Sequence, residues 1–208
     1  GLADNKLNAD FDYTEKGVTL GNLYLETPNT LIRNYVKVNY PSLETITDHI
    51  GEIQLDANIE KSKVSMEDIL LLVPDLDTME VMKPLLKHTF YIHGKVNGRV
   101  DNLNIPNIEF STLDQTQLHA SGRIKGLPDV DKLFMDLQVK NFRTGKRDLD
   151  RLIAKSMLPD SIDLPGHLTL NGVFKGGLNQ FNTDMHLNSS IGNAKLRANY
   201  AAAKDTTY

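Results

Sequence analysis

The chain has 208 residues, a length that suits one or two domains and permits a sizeable core. Lys and Arg number 23 against 27 Asp and Glu, and the net charge of -4 offers no overall pull toward nucleic acid. With 40% hydrophobic and 24% charged residues the composition is that of a folded chain, and the absence of cysteine excludes a disulfide framework, a cysteine zinc site and a thiol nucleophile.

The chain opens Gly1-Leu2-Ala3-Asp4, without an initiator Met or a leader, and reads as a segment excised from a longer protein. Asp10 and Asp12 flank Phe11 in an alternating stretch that turns both carboxylates to water. Leu23–Leu25, a turn at Thr27–Thr30 and Val36–Val38 have the form of a hairpin. Ser42 to Ile50 predicts a short helix ended by Gly51. Ile53, Leu55, Ala57 and Ile59 then alternate with polar residues, the pattern of a strand with one apolar and one wet face.

Ser65-Met-Glu-Asp68 has capping-box form and predicts a helix through Ile69 to Val73, closed by Pro74. Ile69 to Val73 is also the longest apolar run, far short of the ~20 residues that span a bilayer. A further helix from Thr78 to Lys87 is interrupted by Pro84. Period-2 alternation returns in Met135–Val139, Leu168–Leu170 and Ala194–Ala198, with helical spacing of Leu149, Leu152, Ile153 and Met157 between the first two. Gly94-Lys-Val-Asn-Gly98 followed by Asn102-Leu103 is similar to Gly172-Val-Phe-Lys-Gly176 followed by Gln180-Phe181, so the strands read as repeated hairpins. No linker divides them, and residues 1–208 read as a single continuous β unit.

Chemistry is hard to find. The six histidines form no HExxH pair, and His119 and His186 occupy polar positions of alternating strands. Gly172 to Gly177 is neither a P-loop nor a dinucleotide fingerprint, and no nucleophile elbow is present. The pair Asp148 and Asp150 reads as surface carboxylate on the polar side of a helix. With no Trp and 7% aromatics, no stacking platform for bases or sugars is suggested. The sequence therefore gives no enzyme signature and calls for no cofactor or metal.

What is distinctive is a succession of phrases. Gly51-Glu-Ile-Gln-Leu-Asp56 and Val64-Ser-Met-Glu-Asp68 lead to Leu70–Pro74. Gly94–Gly98, Asn102–Ile105, Ala120–Asp129 and Leu164-Pro-Gly-His-Leu-Thr-Leu-Asn-Gly172 follow. Over roughly residues 20–200 this order resembles the TamB branch of the AsmA-like proteins, in particular Bacteroidetes-type members.

The resemblance implies an interior, periplasmic segment of a long protein anchored in the inner membrane of a Gram-negative envelope. It implies an outer-membrane β-barrel partner of the TamA type, and a role in outer-membrane protein assembly, secretion or phospholipid transport. The implied fold is mainly β, an elongated curled antiparallel-rich sheet with an apolar groove (a β-taco), here with two to four short helices. Phospholipid acyl chains are then the expected ligand and no nucleic acid is expected. Alternation nominates Ile53, Leu55, Ile92, Leu118, Leu168, Leu170, Leu187 and Leu196 as groove-facing. Two other readings use the same pattern: a scaffold that receives client strands by β-augmentation, and a closed structural β domain whose inner face packs on itself.

Overall fold

The computed structural model describes residues 5–71, 73–153, 163–177 and 179–201. They form eleven strands: β1 Lys6–Thr14, β2 Gly17–Glu26, β3 Leu31–Asn39, β4 Gln54–Ser65, β5 Thr89–Arg99, β6 Asn102–Thr112, β7 Thr116–Lys125, β8 Phe134–Gly145, β9 His167–Gly176, β10 Gln180–Ser189 and β11 Gly192–Ala201. Spatial order follows chain order and every neighbouring pair is antiparallel, giving one sheet that does not close. The alternation read from Leu55, Met135, Leu168 and Ala194 lies on β4, β8, β9 and β11.

Extra residues interrupt the ladders on alternate strands. Three residues oppose two on β2 between Leu20 and Leu23, and on β4 between Ile59 and Ser62. The same happens on β6 between Ile105 and Ile108, and on β8 between Val139 and Phe142. Opposite these bulges stand Asn34, Gly94, Gly122 and Gly172, all with positive φ. At Gly122 (φ 147) a side chain would run into the backbone of Asp136 and Leu137, so the strands approach there only because no Cβ intervenes. A bulge bends its strand and increases the local twist. Four of them at neighbouring levels make a line along which the sheet bends.

Three short α-helices sit in the long connections: α1 Glu44–Asp48, α2 Met66–Leu70 and α3 Lys146–Leu152. None among the described residues is long and apolar enough to cross a membrane. The Ser65 cap forms as its sequence requires, its Oγ accepting from the Asp68 N–H at 3.1 Å. The helix nevertheless stops at Leu70, short of the predicted Val73, and Pro74 opens a 3-10 turn over Pro74–Thr78. Proline pushes the preceding residue toward extended backbone, here Val73 at φ -136 and ψ 74, and suits the first position of a new turn. Thr78–Lys87 likewise yields a 3-10 stretch, Glu80–Leu85, with Pro84 inside it. The first predicted helix is α1 followed by a 3-10 turn, Ile50–Glu52, that runs through Gly51. The third begins two residues before Asp148; Met157 lies outside the described residues.

An aspartate at the third position of both α2 and α3 ties the helix to a turn two strands back. Asp68 accepts from the Thr30 hydroxyl, and Thr30 Oγ1 accepts in turn from the Ser65 N–H at 3.0 Å. Asp148 accepts from the N–H groups of Asp114 and Gln115, at 3.2 and 2.7 Å, and from the Thr116 hydroxyl at 2.8 Å. Asp148 is fully buried, which corrects its reading as a surface carboxylate. Burial by itself raises its pKa, but the hydrogen bonds from Gln115, Thr116 and Asp114 and the charge of Arg151 outweigh that, so the net shift is downward.

The fully buried apolar side chains are few: Leu23, Ala57, Ile105, Ala120 and Val139 near the bulge line, with Tyr40, Met66, Phe90, Val130 and Leu149 elsewhere. The 23.3-kDa chain exposes 13478 Å². A compact monomer of that mass exposes about 9,700 Å². The excess fits an unclosed sheet with much of its apolar side uncovered.

Candidate functional site

Directly paired residues in antiparallel strands share a face, so the register alone sorts the side chains. One row runs Ile92, Phe110, Leu118, Phe142, Leu170, Leu187 and Ala194 across β5 to β11. Beside it lies Gly94, Ile108, Ala120, Val139, Gly172, Met185 and Leu196. A third row crosses all eleven strands as Tyr13, Val18, Val38, Leu55, Gly98, Leu103, Ile124, Met135, Gly176, Phe181 and Tyr200. All three rows point to one side.

The sequence-predicted residues fall into this frame in a definite way. Ile92, Leu118, Leu170 and Leu187 share the first row, Leu196 ends the second and Leu55 belongs to the third. Leu168, paired with Thr144 and Ser189, lies two residues from Leu170 on that same side. Ile53 stands apart, one residue ahead of β4 at the end of a 3-10 turn, where its carbonyl accepts from the Val100 N–H.

Phe110, Phe142, Phe174, Phe181 and Tyr200 also belong to this face, although strict alternation did not nominate them. Phe142 sits three residues from Val139, across a bulge, so counting by twos places it on the wrong side. Phe174, Phe181 and Tyr200 stack in succession with ring centroids 5.2 Å apart, forming an aromatic ladder over β9, β10 and β11. Burial is deepest near the bulge line and falls toward the edges: Ala120 and Val139 are buried, Leu118 and Leu170 half-buried, and Leu196 is 50% exposed.

The opposite face is polar. Arg123, Asp136, Lys175, Asn182 and Asn199 form one of its rows, with Lys175 and Asp136 ion-paired at 3.0 Å. His93, Glu109, His119 and Asn141 form another. Together with Lys61, Tyr91 and Gln117 these four line a shallow cleft of about 530 Å³. There His119 Nε2 donates to Asn107 Oδ1 at 2.6 Å and stands 3.9 Å from Glu109 Oε1. Among the described residues no three His, Asp or Glu side chains converge on a metal position. The cleft offers hydrogen bonds and no activated nucleophile.

No known family, curated protein or solved structure matches the chain. The physical character of the two faces therefore carries the functional reading.

Proposed function

We propose that this chain is a lipid-conducting segment of a cell-envelope protein, shielding phospholipid acyl chains along the apolar face of its sheet. The observation that carries this is a row of apolar or glycine positions, unbroken across eleven strands and backed by a polar face, with no strand closing the sheet over it. The bulge line supports a sheet curled into a groove, because bends repeated at one level on alternate strands turn the same side inward. The matching placement of Asp68 and Asp148 after two 12-residue bulged strands supports a sheet built from repeated units. Repetition suits transport, since similar weak sites in series pass a ligand on.

Each methylene kept from water is worth about 0.8 kcal/mol, so eight of them against this face gain about 6 kcal/mol. Association and ordering of the lipid cost several kcal/mol. The net affinity is weak, as passage requires. The setting that goes with this reading is a periplasmic segment between inner and outer membranes, held by an inner-membrane anchor and serving a TamA-like barrel in barrier assembly and protein secretion.

The test places a photo-crosslinking amino acid at Leu170, with Thr169 as control on the polar face, where its hydroxyl donates to the Asn188 carbonyl. The chain is incubated with phosphatidylethanolamine–phosphatidylglycerol vesicles, irradiated and analysed by mass spectrometry. Phospholipid adducts at 170 and none at 169 are expected. Adducts at neither position, with crosslinking verified elsewhere in the chain, would overturn the reading, and adducts to a barrel protein in envelope extracts would favour the strand-receiving scaffold.

A further inference from the structure

Among the described residues nothing pairs with the outer edge of β1 or of β11, yet the apolar rows run out to both. On β1, Phe11 and Tyr13 stack with ring centroids 6.4 Å apart and are 65% and 55% exposed. On β11, Leu196 and Tyr200 are about half exposed. An edge of this kind is a template for another strand unless charge opposes it.

The charges on the polar side of the two edges are opposite. β11 carries Lys195 and Arg197, which share the single carboxylate of Asp184 at 3.7 and 2.9 Å, leaving one positive charge uncompensated. β1 carries Asp10 and Asp12. Asp10 takes a hydrogen bond from the Asn22 amide, and Asp12 has no partner among the described residues.

From this complementarity we infer that β11 of one copy pairs with β1 of a second, extending the sheet head to tail. Both strands are odd-numbered members of an antiparallel array, so they run in the same direction. A second copy with its apolar face on the same side therefore brings β1 alongside β11 in parallel. In one register Lys195 stands beside Asp10 and Arg197 beside Asp12, while Leu196 meets Phe11 and small Ala198 meets Tyr13.

The symmetric alternatives are disfavoured. Pairing β11 with β11 about a two-fold axis through Leu196 sets Lys195 against Arg197. Pairing β1 with β1 through Phe11 sets Asp10 against Asp12. Like charges directly opposed across strands destabilise the pair. A head-to-tail contact does not close on itself, so the product is an open series of copies rather than a dimer. One strand edge is a small interface, which makes the association weak and concentration-dependent. This inference is independent of what occupies the apolar face.

The test measures the mean mass of the 208-residue chain by sedimentation from micromolar to near-millimolar concentration. The wild type is compared with Lys195→Glu/Arg197→Glu, with Asp10→Lys/Asp12→Lys, and with an equimolar mixture of the two. The wild type grows in mass with concentration, each variant alone associates at least about tenfold more weakly, and the mixture recovers association because each variant's altered edge complements an edge of the other. A wild type that stays monomeric throughout, variants that associate as well as wild type, or a mixture no better than its parts would each overturn the inference.

A second experiment does not depend on the charge variants folding. The chain has no cysteine, so the single chain Tyr13→Cys/Ala198→Cys is oxidised and run on a non-reducing gel. Dimers and a ladder are expected. A crosslinked monomer alone would overturn the inference, because it would mean that β1 and β11 meet within one chain.

Discussion

Removal of the Asp148 carboxylate tests the account of what fixes the helix-bearing end of the sheet. The side chain is fully buried and accepts three hydrogen bonds, two from the turn N–H groups of Asp114 and Gln115 and one from Thr116. Hydrogen bonds to a charged acceptor contribute about 1.5–3 kcal/mol each. Asp114 and Gln115 lie on an exposed turn where water can replace part of the loss, and Thr116 keeps its bond to Thr144 at 2.9 Å. Asp148→Ala is therefore expected to cost about 3–5 kcal/mol, and Asp148→Asn, which keeps one acceptor oxygen, about 1–3 kcal/mol. For a chain of this size that is on the order of 10 °C in Tm for the alanine variant.

Its pH dependence has a definite sign. The folded pKa lies below the unfolded value of about 3.9, so the contribution is complete above that value and disappears as pH falls through the folded pKa. Guanidinium unfolding followed by far-UV circular dichroism at pH 7 and at a series of acid pH values measures both effects. Asp148→Asn should lose the component of acid destabilisation that the wild type shows below about pH 4. An alanine variant within about 1 kcal/mol of wild type, or an asparagine variant with an unchanged acid limb, would refute the assignment of Asp148 as the tie between α3 and the β6–β7 turn.

Thr30→Val is expected to cost about 1–3 kcal/mol, since it leaves the Ser65 N–H and Asp68 without their partner; Thr30→Ser should recover most of that in the same unfolding assay. Gly122→Ala should destabilise by at least about 2 kcal/mol, through its positive φ and through collision with the Asp136 backbone, whereas Gly192→Ala, with open space around it, should cost less. Phe181→Ala removes the middle ring of the aromatic ladder and is expected to cost about 2–4 kcal/mol, below the figure for a fully enclosed phenylalanine because the face is uncovered. Leu170→Arg should retain the strand content of the wild type by circular dichroism while abolishing lipid adducts at neighbouring Leu187, to which it is directly paired.

Much of the sheet was legible because face is a local property: alternation at Leu168–Leu170 or Ala194–Ala198 fixes parity without knowledge of the partner strand. That is why seven of the eight residues named from alternation share one side, whereas Ile53, which continues the same spacing, falls in the turn before β4. What stayed hidden depends on distant chain. Asp148 and Asp150 look alike in sequence, and only the turn 32–34 residues upstream distinguishes them by burying the first. Asp68 carried a local signal, the capping box with Ser65, but its bond to Thr30 spans 38 residues and left no trace nearby.

The bulges explain why a rigid count by twos fails on this chain yet the apolar face survives. A single extra residue reverses parity, so every bulged strand must reverse its pattern at the same point or turn half its apolar side chains to the polar face. The sequence does reverse. On β8, Met135, Leu137 and Val139 alternate, Lys140 and Asn141 intervene together, and Phe142 resumes on the original side. On β6 the same holds for Leu103 and Ile105, then Pro106 and Asn107, then Ile108 and Phe110. Two consecutive polar or proline residues at the bulge, facing a positive-φ glycine on the next strand, are the local signature. Chance alternation would not place that signature at facing levels on β6 and β8, so the bend and the continuity of the apolar face are encoded together. A strand that packed only as a spacer would have no need of either.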